Sequence, residues 1–183
     1  GGLGLTAAYF GGRTDNIIMR FIDIIQAIPS ILLCIALVAI LGNGMWQLIV
    51  AITAGTIQGM TKNVRAAVFM VRNNEYVNSS KSIGVSDLHI MLKHLIPNAV
   101  GMIVINAIGV ISGTILTISS LSYLGVGLTP PTPEWGAILS EGKQYMAVAP
   151  HMVYFPGLMI AITVVAFNLF GNGLRDALDP RLK

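Results

Sequence analysis

Three long stretches of this chain carry no acidic or basic side chain. Residues 24–61, 94–133 and 144–174 contain no Asp, Glu, Lys or Arg, and each exceeds the about 20 apolar residues needed to cross a bilayer core. Charged residues make up 10% of the 183-residue chain, against about 25% in soluble domains. The sequence therefore predicts an all-α, polytopic integral membrane protein, and it excludes disordered, collagen-like and disulfide-stapled folds.

Four complete membrane spans fit within these stretches, because a turn signal at 42–44 divides the first stretch. They are predicted at residues 24–41, 45–61, 99–123 and 152–170. Residues 1–12 are expected to be the end of an earlier span, so the sequence is interpreted as incomplete at its N-terminus. Pro29 is expected to kink the first complete span. Arg20 and Asp23, three residues apart near its entrance, are expected to form a local ion pair.

The basic residues lie almost entirely on one side of these spans. If each span crosses the membrane once, ten of the eleven Lys and Arg residues fall in segments 13–23 and 62–97 and in the C-terminal tail. The other side holds only Lys143, in the loop at 124–151, where a short helix is expected near 136–147. Because basic residues concentrate on the cytoplasmic side, 62–97 is predicted to be cytoplasmic and 124–151 external.

Sequence signatures of an active site are missing from the chain. It has no phosphate-binding GxxxxGK[ST] loop, no HExxH motif, no paired cysteines and no GxSxG nucleophile elbow. His89, His94 and His151 are not at ligand spacing. The chain is therefore expected not to be an enzyme, to bind no metal and to hold no cofactor of its own.

The cytoplasmic loop has the pattern of two short helices between residues 75 and 97. The first is expected to run from Glu75 to Ile83 and to end at Gly84, since glycine readily adopts the left-handed conformation found after helices. Ser86 is placed to cap the second helix, and the negative charge of Asp87 favours its N-terminus.

Pro97 is expected to end this second helix before the third span begins. The helix has an apolar stripe at helical spacing, formed by Leu88, Met91, Leu92, Leu95 and Ile96. His89 and Lys93 face away from the stripe. Two interpretations stay open on these grounds: a helix lying on the bilayer surface, or a docking element for a soluble partner.

One face of the third span is small and polar. Its members recur at spacings of three and four residues, which places them on one narrow helical face: Asn106, Gly109, Gly113, Thr117 and Ser120. Small and polar residues allow helices to pack closely in a membrane, and they can also line a polar pathway. Periodicity leaves both roles open.

Phrases along the whole chain resemble the permeases of ABC importers. Asn78-Ser79-Ser80, Gly84 and Ile96-Pro97 have the spacing of that family's EAA…G…IxLP loop. Other phrases resemble the C-type permease subunit of the dipeptide, oligopeptide and nickel branch: 8–12 (AYFGG), 19–23 (MRFID), 122–127 (SYLGVG), 131–136 (PTPEWG) and 173–181 (GLRDALDPR).

The resemblance implies a type I ABC importer transmembrane domain over residues 1–183, in the cell membrane of a prokaryote. It implies a translocation pathway for peptides or nickel, formed with a second, homologous permease subunit. It also implies an extracytoplasmic substrate-binding protein and two cytoplasmic ATP-binding subunits, which would hold ATP and Mg²⁺. The choice among dipeptide, oligopeptide and nickel substrates is not fixed by these phrases.

In the same family the cytoplasmic loop couples the permease to the ATPases. The positions to which this resemblance assigns the coupling role are Glu75, Asn78, Ser79, Ser80, Gly84, Ser86, Asp87 and Pro97. The family's Glu-Ala-Ala is replaced here by Asn78-Ser79-Ser80, so a carboxylate is lost at residue 78. A secondary transporter or a structural membrane subunit remains the alternative, although no ionisable residue lies deep within a predicted span.

Overall fold

The computed structural model describes residues 1–128 and 131–178, and the secondary structure of this part is entirely helical. Arg181, Lys183, the end of the 173–181 phrase and residues 129–130 of the external loop lie outside the described residues. In chain order the helices are α1 (Gly2–Phe10), α2 (Gly12–Gln26), α3 (Ser30–Leu41), α4 (Met45–Arg72), α5 (Glu75–Ser82), α6 (Asp87–Ile90), a π-helical turn (Met91–Leu95), α7 (Ile96–Tyr123), α8 (Trp135–Gly142), a 3-10 turn (Lys143–Tyr145) and α9 (His151–Leu178).

Among the residues described, two helical segments are each long and apolar enough to cross a membrane. They are Asp87–Tyr123, which joins α6, the π turn and α7, and His151–Ala177 within α9. A third candidate exists only if α2 and α3, a bent pair, form one span. The fold is thus all-α and polytopic, as predicted, while the number of four spans stays a prediction.

At Pro29 the chain breaks its helix and does not merely kink it. α2 ends at Gln26, and Pro29 is the residue that precedes α3, which begins at Ser30. Proline has no N–H to donate to a preceding turn, and it disfavours the helical conformation at the residue before it. The expected kink is therefore a helix boundary.

The chain divides into two compact units. The first contains Gly1–Ala27, Ile57–Ala107 and the chain from Gly173, and the second contains Ile28–Thr56 and Ile108–Asn172. The core of the first unit is formed by Ala8, Tyr9, Val64, Ala67, Val68, Val77, Ile90, Met91, Leu95 and Ala99. The core of the second is formed by Cys34, Val38, Leu48, Ala51, Ile52 and Leu121.

Within the first unit, α1 approaches α4 closely at Gly4. A Cβ atom at Gly4 would collide with the carbonyl oxygen of Thr61 and would lie 3.0 Å from the backbone nitrogen of Arg65. Glycine lets the two helix backbones come this near, as small residues do at helix interfaces in membranes. Residues of both α1 and α4 pack against the cytoplasmic loop.

Within the second unit, helix α8 of the loop predicted to be external is fixed at its first turn. Its N-cap is Glu134, whose carboxylate accepts a hydrogen bond from the Ala137 backbone N–H at 2.8 Å. Gly136 lies directly against the backbone of Ser119 in α7, where a Cβ would collide with the Ser119 carbonyl. The predicted helix near 136–147 is therefore present, beginning at Trp135.

Candidate functional site

The loop predicted to be cytoplasmic, here called the cytoplasmic loop, folds as two helices joined by a tight turn, as its sequence predicts. α5 ends at Ser82, Ile83 follows as its C-cap, and Gly84 has a φ of +79°. Residues with a Cβ rarely adopt this conformation. Nothing lies within 4 Å of a Cβ built at Gly84, so the backbone conformation, and not lack of space, requires glycine here.

Ser86 occupies the predicted N-cap position of the second helix. Its backbone is extended, as expected of an N-cap, but its side chain makes no capping hydrogen bond. Asp87 lies in the first turn of that helix, where a negative charge is favourable.

The second helix does not end at Pro97, so that prediction is wrong. α6 passes through the π turn at Met91–Leu95 directly into α7, which begins at Ile96. A proline inside a helix lacks one hydrogen bond and crowds the carbonyl one turn earlier. The wider π turn lies immediately before Pro97 and shifts the hydrogen bonding there, which lets the helix continue.

The buried face of this helix also differs from the predicted stripe. Ile90 and Leu95 are fully buried and Met91 nearly so, whereas Leu88 is 66% and Leu92 is 54% exposed. The prediction assumed one regular α-helix. The π turn instead changes the angular position of the residues before it relative to those after it, and Ile90 takes an inward position.

The inward side of the loop belongs to the core of the first unit. Val77 of α5 is fully buried, and it packs in one cluster with Ala8 and Tyr9 of α1 and with Val64 and Val68 of α4. The loop is therefore held by apolar contacts with this chain's own helices. Part of its apolar surface is thus buried within this chain and is not available to a bilayer.

The outward side of the loop presents both polar and apolar residues. The predicted coupling residues Glu75, Asn78, Ser79, Gly84, Ser86, Asp87 and Pro97 are exposed, and Ser80 is half-buried. Ile83 is 80% exposed. We call the exposed set Asn78, Ser79, Ile83, Leu88 and Leu92 the outer face of the loop.

Tyr9 is the residue of this site that the sequence did not indicate. It lies in the last turn of α1, is almost fully buried, and donates a hydrogen bond from its hydroxyl to Oδ1 of Asp87 at 2.5 Å. The ammonium group of Lys81 in α5 lies 4.6 Å from the centroid of the Tyr9 ring, in a cation–π contact. No local pattern connects residues 78 positions apart, so only the fold brings them together.

Arginines of α4 fix the junction between α1 and α2. Arg65 donates two hydrogen bonds to the carboxylate of Asp15, at 2.6 and 2.5 Å, and Arg72 donates one to the Ala8 carbonyl at 2.6 Å. Both guanidinium groups lie over the ring of Phe69. The hydrogen bonds from Arg65 hold the pKa of the Asp15 carboxyl below its usual value, against the opposing effect of burial.

Asp23 has a partner that the sequence did not suggest. Its carboxylate lies 3.0 Å from the ammonium group of Lys62, a residue of α4 that also contacts Gln26. The expected local pair with Arg20 is therefore wrong, because the fold brings Lys62 of α4 within reach of Asp23.

The small face of α7 is open in this chain. Among the residues that the structure describes, none lies within 4 Å of a Cβ built at Gly109 or at Gly113. Ser120 is exposed, and Asn106 and Thr117 are half-buried. The Thr117 hydroxyl donates to the Gly113 carbonyl of its own helix at 2.9 Å. In the second unit, Ser119 and Ser120 line an open, largely apolar cavity of about 480 Å³ with Leu139 and Gly157.

Comparison with known proteins gives a match along the whole chain. The model of the family described as "binding-protein-dependent transport system inner membrane component" matches residues 1–183. The protein called glutathione transport system permease protein GsiD in Pectobacterium atrosepticum is 46% identical over 181 residues, which cover 99% of this chain and 60% of the relative.

Proteins of the same name from other bacteria match equally well. The one from Escherichia coli O6:K15:H31 is 46% identical over 175 residues, which cover 96% of this chain and 58% of the relative. The one from Shigella boydii serotype 4 has the same identity and coverage. This chain thus spans about three fifths of the length of these relatives.

Proposed function

Because this chain belongs to the family of binding-protein-dependent transport system inner membrane components, with a type I ABC transmembrane fold, we propose that it is a permease subunit of an ATP-driven importer. It forms the translocation pathway with a second, homologous permease subunit. The chain has no ATP-binding motif of its own, so ATP and Mg²⁺ are bound and ATP is hydrolysed by two partner subunits in the cytoplasm. An extracytoplasmic binding protein delivers the substrate.

The observation that carries this proposal is that one side of the cytoplasmic loop is buried and the other is exposed. Its inward side, at Val77 and Ile90, is buried in this chain's own core, while its outer face leaves Ile83, Leu88 and Leu92 in the open. A loop that only had to close on itself would not need to expose three large apolar side chains on the cytoplasmic side. The outer face is the surface that docks the ATPase.

The names of the relatives favour a small peptide as substrate. Glutathione is a tripeptide, and the relatives called glutathione transport permeases are 46% identical to this chain. We propose that this subunit serves the import of glutathione or a peptide of similar size, in preference to nickel.

The open face of α7 is proposed as the surface shared by the two permeases or facing the pathway. Gly109 and Gly113 would allow close approach of a helix from the second permease. Asn106, Thr117 and Ser120 would offer polar groups there to a partner helix or to a passing substrate. This role rests on the absence of neighbours within 4 Å of the two glycines.

Site-specific cross-linking in the full transporter tests the docking role. Cys34 is first replaced by serine, since it is the single cysteine of the chain, and a new cysteine is placed at Ser79 on the outer face. A thiol cross-linker is expected to capture the ATPase subunit, with a yield that changes when ATP is added. A variant with cysteine at Val148, which is 82% exposed on the predicted external side, is the matched control and should capture none.

Labelling decides between failure of the experiment and failure of the proposal. In opened membranes, the Ser79→Cys variant is expected to react with a soluble maleimide as fully as the Val148→Cys variant. If it does so but never captures an ATPase, the outer face does not dock one. The energy source then lies elsewhere, and a secondary transporter becomes the better description.

A further inference from the structure

Three connections attach the cytoplasmic loop to the membrane-facing helices, and they differ in kind. The loop follows α4 after the two residues Asn73 and Asn74, and it leads without interruption through Asp87–Tyr123 into α7. Both of these connections are covalent and continuous. α1, in contrast, reaches the loop only through side chains.

Tyr9 makes those contacts with both helices of the loop. Its hydroxyl donates to the Asp87 carboxylate at the start of the second helix, and its ring lies beneath the Lys81 ammonium group near the end of the first. The two contacts lie on either side of the Gly84 turn. A single side chain of α1 therefore makes polar contacts with both α5 and α6, in addition to the apolar packing of the first unit's core.

The hydrogen bond from Tyr9 has a charged acceptor. It joins a neutral hydroxyl to a carboxylate at 2.5 Å, and the Tyr9 side chain is almost fully shielded from solvent. Hydrogen bonds to charged groups are shorter and about twice as strong as those between neutral groups. Removing the Asp87 carboxylate would leave the shielded Tyr9 hydroxyl without this acceptor, whereas removing the hydroxyl would leave Asp87, which is exposed, open to water.

We propose that Tyr9 is a positioning residue for energy coupling: through Asp87 and Lys81 it holds the ATPase-docking loop on α1, so that a movement of the loop is passed to α1. The inference rests on the proposed function of the loop. Without this contact the loop can move with the ATPase while α1 stays behind, and ATP is hydrolysed without transport.

The test compares Tyr9→Phe, which removes the hydroxyl but keeps the ring beneath Lys81, with Asp87→Ala, which removes the acceptor. Asp87→Asn, which keeps an acceptor oxygen, is the conservative rescue. Tyr154→Phe, at an exposed tyrosine of α9, controls for loss of a hydroxyl elsewhere. The assembled transporter with its binding protein is reconstituted in vesicles, and uptake of radiolabelled glutathione and release of phosphate are measured together.

We expect Tyr9→Phe and Asp87→Ala to raise the ATP hydrolysed per glutathione taken up by about three- to tenfold, the scale of one ordinary hydrogen bond, because the Asp87 side of the contact is open to solvent. The double variant should be no worse than either single variant. Asp87→Asn, which keeps an acceptor oxygen but not the charge, should restore about half of the coupling lost in Asp87→Ala. A merely structural role would lower uptake and hydrolysis in parallel and leave their ratio unchanged. That result would overturn the proposal.

A second measurement does not depend on substrate or ATPase. Spin labels at Leu3 in α1 and Ser79 in α5, in the Cys34→Ser background, report the distance between helix and loop. A narrow distribution that broadens in Tyr9→Phe supports the positioning role, and an identical distribution contradicts it. If the loop never captures an ATPase while this distribution broadens, the contact exists but the function proposed for the loop is wrong.

Discussion

Glycines in two helices of this molecule meet opposite surroundings. Gly4 in α1 faces the backbone of α4 so closely that a Cβ would collide with the Thr61 carbonyl, whereas Gly109 and Gly113 in α7 face nothing within 4 Å. The first is a contact that this chain completes alone. The second is a glycine face that no described residue of this chain covers, which agrees with the proposal that another subunit packs there.

This difference suggests two roles for glycine here: Gly4 packs helices within this chain, and Gly109 and Gly113 are proposed to pack against another subunit. α1 and α4 support the cytoplasmic loop through apolar burial and the arginine contacts, and they are self-sufficient in this respect. The small face of α7 contributes little to packing within its own chain. Substitutions at the two places should therefore fail in different ways.

The largest effect is expected for Gly4→Leu in the full-length protein. The new side chain would force α1 away from the Thr61 carbonyl and the Arg65 backbone. Overpacking of this kind costs about 1–3 kcal/mol and sometimes more, so the free energy of unfolding in detergent and the amount of protein in the membrane should both fall. Gly2→Leu is the control, because a Cβ at Gly2 meets no atom within 4 Å; equal losses in both variants would contradict the close packing.

A smaller effect on stability, but a clear one on assembly, is expected for Gly113→Leu. The isolated subunit should unfold within about 1 kcal/mol of the unaltered protein, since leucine is a better helix former than glycine and a Cβ at this position meets no described atom within 4 Å. Recovery of the second permease by co-purification, or uptake by the complete transporter, should fall at least severalfold. Gly59→Leu, at an equally open glycine of α4, should leave both unchanged.

The two ion pairs on α2 should differ in the same measurement of unfolding. Asp15 and Arg65 are largely shielded, with side chains 14% and 32% exposed, whereas Asp23 and Lys62 are 57% and 37% exposed. Asp15→Asn should cost about 1–2 kcal/mol, because the Arg65 guanidinium keeps a two-armed contact only with a carboxylate. Asp23→Asn should cost less than about 1 kcal/mol, as is usual for exposed pairs.

The Asp15 pair also sets the direction of a pH effect. Because its pKa is lower in the folded protein than in the unfolded chain, its contribution is complete above the unfolded value and is lost as the pH falls through the folded value. The difference in unfolding free energy between the unaltered protein and Asp15→Asn should thus shrink in acid. A difference that grew below pH 4 would contradict the assigned partner.

Local signals in the sequence were sufficient for the loop's helices but not for their burial. Glu75, Gly84 and Ser86 specify where helices begin and end, and the structure places those boundaries within one residue of the prediction. The inward position of Ile90, the exposure of Leu88 and Leu92, and the helix continuing past Pro97 all depend on the π turn. A periodic apolar pattern indicates buried positions only in a regular helix, so it does not reveal a π turn.

Contacts between distant segments were beyond the sequence altogether. The spacing around Asp23 indicates its neighbour Arg20, yet the fold gives it Lys62. Tyr9 stands within the family-like phrase at 8–12, but nothing in that phrase indicates its contact with Asp87. Such partners are chosen by helix packing, which a single sequence does not display. The all-α membrane fold, in contrast, follows from the charge-free stretches because the bilayer permits few alternatives.

Substitution of Ile83 tests the docking role of the outer face most directly. Its side chain is 80% exposed, so Ile83→Asp should leave the stability of the permease within about 0.5 kcal/mol while the ATPase subunits no longer co-purify and uptake is lost. Val148→Asp, equally exposed on the predicted external side, should retain the ATPases. Full retention of the ATPases and of uptake in Ile83→Asp would contradict the assignment of this loop as the docking surface.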